Sequence, residues 1–550
     1  MTVPSSARPS AVAEWTLVTF VVAVATVAAT WPLATSPWLV PAHQDPLFSS
    51  WRLYQWARNL TGAGPGGLFD GNIFTPARDV LLFSDAIPLQ ALAAAPFLWL
   101  GAPVVVVYNA LVWASFLTAG LATYACARAI SGSRVGALVA AVIFSAAPSR
   151  IEHVMHLELL WTAGLPLAVL GGVRLLQGDR RGPRLAGLAI AGQFLTCIYY
   201  GVFLLTIGPI VVGVEWLRSR PMLPRRLWIR AAAWLAAAVA VAGLYAVPYQ
   251  RARAVVGDRP DFEVEIYSGV ISSYASYPPS NRLWGWSADL DDAERRLAPG
   301  VVASGLAVSA VLLAPTAPWT LALTAGGLVA ADASLGTNGW SYVWMRRLLP
   351  PFRGLRVPAR FGTITLLAVA LLAAITCGMV AQRLANWRVG PWAAAAVLAL
   401  LVAEYASVHP VRDMPRRAPP VYHWLATLPP SIVVHAPLPT LKTLPGPEAD
   451  FQYFAQYHRH RLLNGNSGFY PPNYAELLSR TEEFPDARAI TAMRAAGAEY
   501  LVVHGQHYAT PEAFAAVLVA LEAQAGLTPI TGSEDEGGVV RVYRLDPLSQ

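Results

Sequence analysis

Apolar runs of about bilayer length recur along residues 1–409 of this chain, and that recurrence leaves few folds open to it. A backbone in hydrocarbon must satisfy its own polar groups, so each run reads as a helix that crosses the membrane or lies among helices that do. The runs are Glu14 to Ala34, Val104 to Ala127, Val135 to Pro148, Leu157 to Val173, Leu185 to Ile198 and Val202 to Leu217. They continue with Leu227 to Val247, Val301 to Ala314, Trp319 to Ala331, Thr363 to Ala381 and Trp392 to Ser407. Several hold only about 14 residues against the ~17–25 of a full span, and these cross if their ends snorkel or the bilayer thins. Composition agrees: 13% of residues are charged, where a soluble domain carries roughly 25%. The first run is long enough to span, only Arg8 precedes it as a basic residue, and further runs follow, so it reads as a retained span and not a cleaved signal.

Sidedness follows from arginine. The tight basic turns carry Arg128 and Arg134, then Arg180, Arg181 and Arg184, then Arg218, Arg220, Arg225 and Arg226, and last Arg383 and Arg388. All of them fall on the cytoplasmic side if the run "AIPLQALAAAPFLWLG" (Ala86 to Gly101), which has two internal prolines, lies in the outer interface instead of crossing. This gives about eleven crossings, an inside N-terminus and an outside C-terminal domain. The outer side then collects loops 35–103, 249–299 and 333–361 and the short "PSRIEHVMHLE" segment, with most of the acids and histidines of residues 1–409.

Beyond His409 the pattern changes. "PSIVVHAPLP", "AEYLVVHGQ" and "GVVRVYRLD" are β-branched runs bounded by turn residues, and "DARAITAMRAAGA" and "TPEAFAAVLVALEAQAG" are helices with Asp or Thr starts and Gly stops. Residues 410–550 therefore read as a small soluble α/β domain, with no P-loop, dinucleotide fingerprint or nucleophile elbow. The fold class expected is a polytopic α-helical membrane protein with this domain appended. The net charge of +7 is almost wholly arginine, Lys442 being the only lysine. Its clustering between apolar runs points to topology and lipid head groups, not to nucleic acid. Cys126, Cys197 and Cys377 all lie in apolar segments and make neither a metal motif nor a disulfide framework.

Four outer constellations carry chemistry. In "VPAHQDPLFSSWRLYQW", Asp45 before Pro46 is a good helix start and equally a candidate active-site acid, with His43 beside it. The helix that follows carries Leu47, Phe48, Trp51, Tyr54 and Gln55 at three-to-four spacing, as suits the head-group region. Asp85 in "LLFSDAIPLQ" repeats the arrangement and, alone, reads first as an N-cap. In "SRIEHVMHLELLW", Glu152, His153, His156 and Glu158 crowd the mouth of a span, where acids and imidazoles are costly unless they face a polar cavity or one another. The set is a hydrated helix start, a polar site or a metal site. Last, "MRRLLPPFRGLRVPARFG" puts Arg346, Arg347, Arg353, Arg356 and Arg360 on the outer side, against the positive-inside trend. Guanidinium forks there fit either a lipid phosphate or head-group anchoring. "YPPSNRLWGW" adds aromatics that suit a sugar ring or an interfacial belt.

Taken together, "HQDPLFSSW", "FDGNIFTPARDVLLFSDAIPLQALAAAP", "GSRVGALVAAVIFSAAPSRIEHVMHLELLWTAGLPLAVL", "YYGVFL", "LWGW…ERRLAPG", "LRVPARFG" and "LLNGNSGFYPPNY" resemble the GT-C superfamily of membrane glycosyltransferases, in a bacterial branch with an outer C-terminal soluble domain. The resemblance implies an inverting transfer from a polyprenyl-phosphate-linked sugar to a glycan, lipid or protein acceptor at the outer face of the bacterial cytoplasmic membrane. By motif position it makes Asp45 the acid that activates the acceptor hydroxyl, Asp85 a second acid of the first loop, and Glu158, or less well Glu152, the acid of the second outer loop. His43, Glu152, His153, His156, Arg353, Arg356 and Arg360 would bind substrate. His156 stands where the family usually has an aspartate, which leaves a divalent cation (Mg2+ or Mn2+) an open question. Two rivals use the same residues: a flippase for lipid-linked glycans, against which the polar groups gather at one surface with no internal repeat, and a non-enzymatic envelope-assembly protein.

Overall fold

The computed structural model describes residues 10–288, 292–384, 390–530 and 538–547; Arg8 and Arg388 lie outside them. The protein is a multi-pass helical membrane protein with a small sheet domain towards its C-terminus. Among the described residues seven helices are long and apolar enough to span: Ala11–Ala29, Val104–Ser131, Arg134–Ile151, Leu157–Leu176, Ile198–Ser219, Arg225–Val256 and Pro358–Arg383. Val301–Leu313, Thr320–Ser334 and Trp392–Tyr405 are apolar but shorter. The run at Ala86 forms the helix Pro88–Trp99, whose 12 residues extend only ~18 Å against a ~30 Å hydrocarbon core.

The chain divides into two compact units. One comprises Met1–Pro41, Ala110–Tyr245 and Asp258–Val411; the other comprises Ala42–Asn109, Ala246–Gly257 and Arg412–Gln550. In the first, helices approach closely where side chains are small. A Cβ on Gly136 would come 2.3 Å from the carbonyl oxygen of Ala374, so helix Arg134–Ala146 can lie against Gly362–Arg383 only with glycine there.

Helix starts leave N–H groups without partners, and in this unit carboxylates from neighbouring elements supply them. Glu404, 3% exposed, accepts from the N–H groups of Val301 and Val302 and from Tyr277 Oη at 2.8 Å, closing the start of Val301–Leu313. Glu215 accepts from Trp319 N at 3.1 Å before Thr320–Ser334, and Asp332 accepts from Trp340 N and Ser341 N before Ser341–Leu348. A carboxylate also suits the positive end of the helix dipole.

The second unit is built on a five-stranded sheet of β1 (Ile432–Ala436), β2 (Arg461–Leu462), β3 (Tyr500–His504), β4 (Leu527–Pro529) and β5 (Val540–Leu545), in the order β2-β1-β3-β5-β4. β1 runs parallel to both β2 and β3, with Ile432 opposite Arg461 and Val433 opposite Tyr500; β5 is antiparallel to β3 and to β4. The outer edge of β2 does not face solvent. Leu462 N donates to Asn72 O at 2.7 Å, Thr75 N to Leu462 O at 2.9 Å, and Phe74 N to Asn464 O at 3.1 Å. Residues 72–75 thus add a strand-like segment to the sheet, the usual remedy for an open edge. Helix Asp45–Leu60 lies against helix Glu448–His458, tied by Tyr54 Oη to Gln456 O at 3.0 Å.

Candidate functional site

The first unit gathers a charged cluster around a residue the sequence analysis did not single out, Glu294. It sits in the short turn Ala293–Arg295, 8% exposed. Arg360, at the start of the last full-length span, grips it with both arms of its fork, Nε to Oε2 at 3.0 Å and Nη2 to Oε1, while its guanidinium stacks 4.5 Å from the Tyr199 ring. His153 Nε2 lies 3.8 Å from Glu294 Oε2, too far for a hydrogen bond. Beside it Arg296 donates to Glu152 at 2.6 Å.

The electrostatics are set by burial. Burial alone would raise the Glu294 pKa, but Arg360 more than offsets it and holds the carboxyl well below its usual range. Burial pushes His153 down to about 4 against the pull of Glu294, so at neutral pH His153 is an uncharged imidazole and Arg360 supplies the countercharge. Burial also raises Glu152, against the pull of Arg296. One ligand atom each from His153, His156 and Glu294 falls within 4.8 Å of the others. His153 Nδ1 is buried with no hydrogen-bond partner among the described residues. Two imidazoles and a carboxylate form a donor set suited to a divalent cation of borderline softness.

Of the residues named from sequence, His153, His156, Glu152 and Arg360 are therefore brought together. Glu158 is buried in the next short helix, Leu157–Leu160, outside the His153–His156–Glu294 triad. Arg353 is exposed in the turn Pro350–Gly354. Arg356 stacks over Tyr267 at 5.4 Å, and its Nη1 reaches Glu263 at 3.5 Å, a carboxylate it shares with Arg259 at 3.2 Å. Arg150 lies 5.2 Å from the Phe116 ring and 5.6 Å from the Phe144 ring and donates to Leu160 O and Thr162 Oγ1, fixing the segment that follows His156. Glu294, Arg296, Arg150 and Arg259 were missed. The stretch "ERRLAPG" held the signal for Glu294, an acid among arginines between two apolar runs.

The second unit holds the other acids. Asp45 is the first residue of helix Asp45–Leu60, and the cap position before it falls to Gln44, whose side chain makes no capping bond. Its carboxylate pairs instead with His43, Nδ1 to Oδ2 at 2.8 Å, with the imidazole 49% and the carboxylate 26% exposed. Asp85 likewise is not the cap of the following helix: Ile87 occupies that position, with a left-handed φ of 50°. The backbone around Asp85 is pinned on both sides. Fully buried Arg52 donates to Asp85 O at 2.5 Å, Trp56 Nε1 to Ala86 O at 2.6 Å, and Ala86 N to Tyr249 Oη at 2.8 Å.

Neither a protein-family model nor a curated protein matches the chain. Solved structures do. The oligosaccharyltransferase of Archaeoglobus fulgidus is similar over 89% of this chain and 69% of its own, with 12% identity and a TM-score of 0.50. ArnT from Cupriavidus metallidurans is similar over 97% and 98%, at 12% identity and a TM-score of 0.50. The arabinofuranosyltransferase AftD from mycobacteria is similar over 99% of this chain, at 16% identity and a TM-score of 0.58, although the chain spans only 42% of AftD. The fold is thus that of the GT-C membrane glycosyltransferases.

Proposed function

We propose that the protein is a glycosyltransferase that moves a sugar from a polyprenyl-phosphate donor to an acceptor hydroxyl at the outer face of the bacterial cytoplasmic membrane, with inversion at the anomeric carbon. The observation that carries this reading is the gathering of buried charge in the segments between the apolar helices of a GT-C fold, above all the Glu294–Arg360–His153 cluster. Two of the similar structures are themselves named as an oligosaccharyltransferase and an arabinofuranosyltransferase. A donor whose lipid stays in the bilayer needs no nucleotide-binding fold, and the sequence has no motif for one.

In this reading the Asp45 segment takes the acceptor proton as the anomeric carbon develops oxocarbenium character. Asp85, on its pinned backbone, orients the acceptor. Arg356, Arg259 and exposed Arg353 receive the charge that builds on the leaving phosphate. Arg360 is already committed to Glu294 and acts first by holding that carboxylate in place. A divalent cation would be held by His153, His156 and Glu294 and would supply positive charge to the phosphate; imidazole donors favour Mn2+ over Mg2+.

The test is sugar transfer from synthetic polyprenyl-phosphate sugars by purified protein in lipid nanodiscs. Asp45→Asn and Glu294→Gln should each lower the rate by roughly 10²-fold or more, as removal of a proton-transfer or charge-stabilising group does. Movement of intact lipid between leaflets with no bond made would overturn the reading in favour of a flippase.

A further inference from the structure

The eight residues Ser341–Leu348 form a helix with two unlike faces. Tyr342 is buried, its ring 5.6 Å from that of Phe352 and its Oη donating to Leu355 O at 2.8 Å. Trp340, Trp344 and Leu348 follow one another at intervals of four and share the other side, where they are 80%, 50% and 70% exposed. An open apolar stripe of this kind marks a contact with lipid or with protein. Position and charge select lipid. The helix packs against Thr320–Ser334, whose Asp332 accepts from Trp340 N and Ser341 N, and the span Pro358–Arg383 begins shortly beyond it. It therefore lies where apolar helices end, the depth at which Trp and Arg meet lipid head groups. Residues 341–354 hold three arginines and no acid. Arg346 is committed to Asp261, but exposed Arg347 has neither an ion-pair nor a hydrogen-bond partner among the described residues, and its guanidinium lies 5.4 Å from the Trp344 ring. Two-fold pairing of the stripe with a second copy would set like charges together, whereas phospholipid phosphates would neutralise them.

We propose that this helix is seated in a lipid leaflet, with Trp340, Trp344 and Leu348 among the upper acyl chains and Arg347 on the phosphate of an anionic phospholipid, and that the seat holds the donor-phosphate arginines in place. This rests on the glycosyltransferase reading and deepens it. The coupling runs through the backbone on both sides of the helix. Arg346 Nη2 donates to Arg259 O at 3.3 Å and to Asp261 Oδ1 at 2.5 Å. Tyr342 holds the carbonyl of Leu355, the residue before Arg356, whose own N–H donates to Tyr199 Oη at 3.1 Å. A shift of the helix would thus move both stretches of backbone that carry Arg259 and Arg356, the two guanidiniums that share Glu263. Adjacent arginines divide the work: Arg347 meets the lipid and Arg346 ties the helix to the site. The lipid around the helix then sets how well the donor is held, and the chemical step is left alone.

Two measurements on the full-length protein in lipid nanodiscs test it. The first needs no activity. A nitroxide is attached at Leu348→Cys, the native Cys126, Cys197 and Cys377 being buried. Its collisions with oxygen, which concentrates in lipid, are compared with those of a water-soluble nickel chelate. Oxygen should dominate, at a depth of roughly 5–10 Å into the boundary between head groups and chains, while the same label at exposed Lys442→Cys should favour nickel. Free access of nickel at position 348 overturns the seat, and spin–spin broadening between copies would give the stripe to a dimer instead. The second measurement is the KM for a synthetic polyprenyl-phosphate sugar. Trp344→Ser should raise it roughly tenfold with kcat little changed, a usual size for coupled sites, and Trp344→Phe should keep it near wild type. Replacing phosphatidylcholine by phosphatidylglycerol should lower the wild-type KM, and Arg347→Gln should abolish that response. A KM that Trp344→Ser leaves unchanged, or that ignores the lipid in wild type, overturns the coupling. If the nitroxide sits in lipid and no sugar moves, the glycosyltransferase reading is what has failed.

Discussion

Arg360 and Glu294 have side chains only 11% and 10% exposed, and a buried ion pair is costly to halve and cheap to replace whole. Removing one partner leaves an uncompensated charge, at about 3–5 kcal/mol, whereas apolar side chains of similar volume at both positions are often neutral. Glu294→Leu and Arg360→Met should therefore each lower the thermal midpoint in detergent, and the double variant should recover most of the loss while remaining inactive. Additive losses would show that the two residues do not act as a pair. The sequence made Arg360 visible as one of an arginine cluster but not its partner, because the contact closes over 66 residues of chain. Likewise it showed that a helix begins at Asp45, which Pro46 and the spacing dictate. It did not show that the carboxylate turns back to His43, which depends on the local turn.

At the scale of elements, periodicity and composition made the seven long apolar helices and strands β1, β3 and β5 legible, and the Ala86 run forms a helix of only 12 residues. What they could not reveal is how the ends of elements are satisfied: Glu404, Glu215 and Asp332 each close the start of another helix, a partnership no local pattern encodes. The sheet domain also hides a titrating core. His435 on β1 and His504 on β3 share a hydrogen bond of 2.8 Å, and His435 faces His458, His460 and His507 as well. Burial pushes His458 and His504 each down to about 3, and His435 well below its ordinary value. His507 is also lowered, with Asp450 and Arg412 beside it. Near them burial raises Glu448 to about 8. The signs follow from proton counts. Between the unfolded histidine value of 6.5 and about 3, unfolded His458 and His504 bind more protons than in the folded state, so stability falls as pH falls, by ~1.4 kcal/mol per pH unit for each, and His435 acts in the same direction. Glu448 acts oppositely, losing stability as pH rises from 4.5 to about 8. The three histidines outweigh the one acid, so the stability of this domain should peak near pH 6.5. It should decline steeply on the acid side and gently on the alkaline side, as read by unfolding midpoints against pH. Glu448→Gln should flatten the alkaline limb alone, and an acid limb unchanged by His504→Gln would reject the assignment.

At the scale of the whole molecule, a linear reading separates residues 1–409 from 410–550, whereas the second compact unit joins Ala42–Asn109 to Arg412–Gln550. The seam is specific. Asn72, Phe74 and Thr75 pair with the edge of β2 and with Asn464, Asn72 Nδ2 donates to His460 O at 2.9 Å, and the Phe74 ring packs 4.9 Å from that of Tyr474. The sheet domain is thus part of what folds the segment that carries Asp45 and Asp85. A chain ending at His409 should retain its apolar helices yet lose sugar transfer for every acceptor, because buried N–H and C=O groups of residues 72–75 would have no partner. Gly465→Ala offers a gentler version, since its Cβ would come 2.7 Å from Phe74 Cε1 and the ring must move. Hydrogen exchange on the full-length variant should speed up at residues 72–75 and at the start of helix Asp45–Leu60, with exchange in Gly362–Arg383 unchanged and transfer reduced. If residues 72–75 exchange as slowly as in wild type, the seam is not what holds the first loop. If they loosen while transfer is untouched, the acids are positioned without the sheet domain.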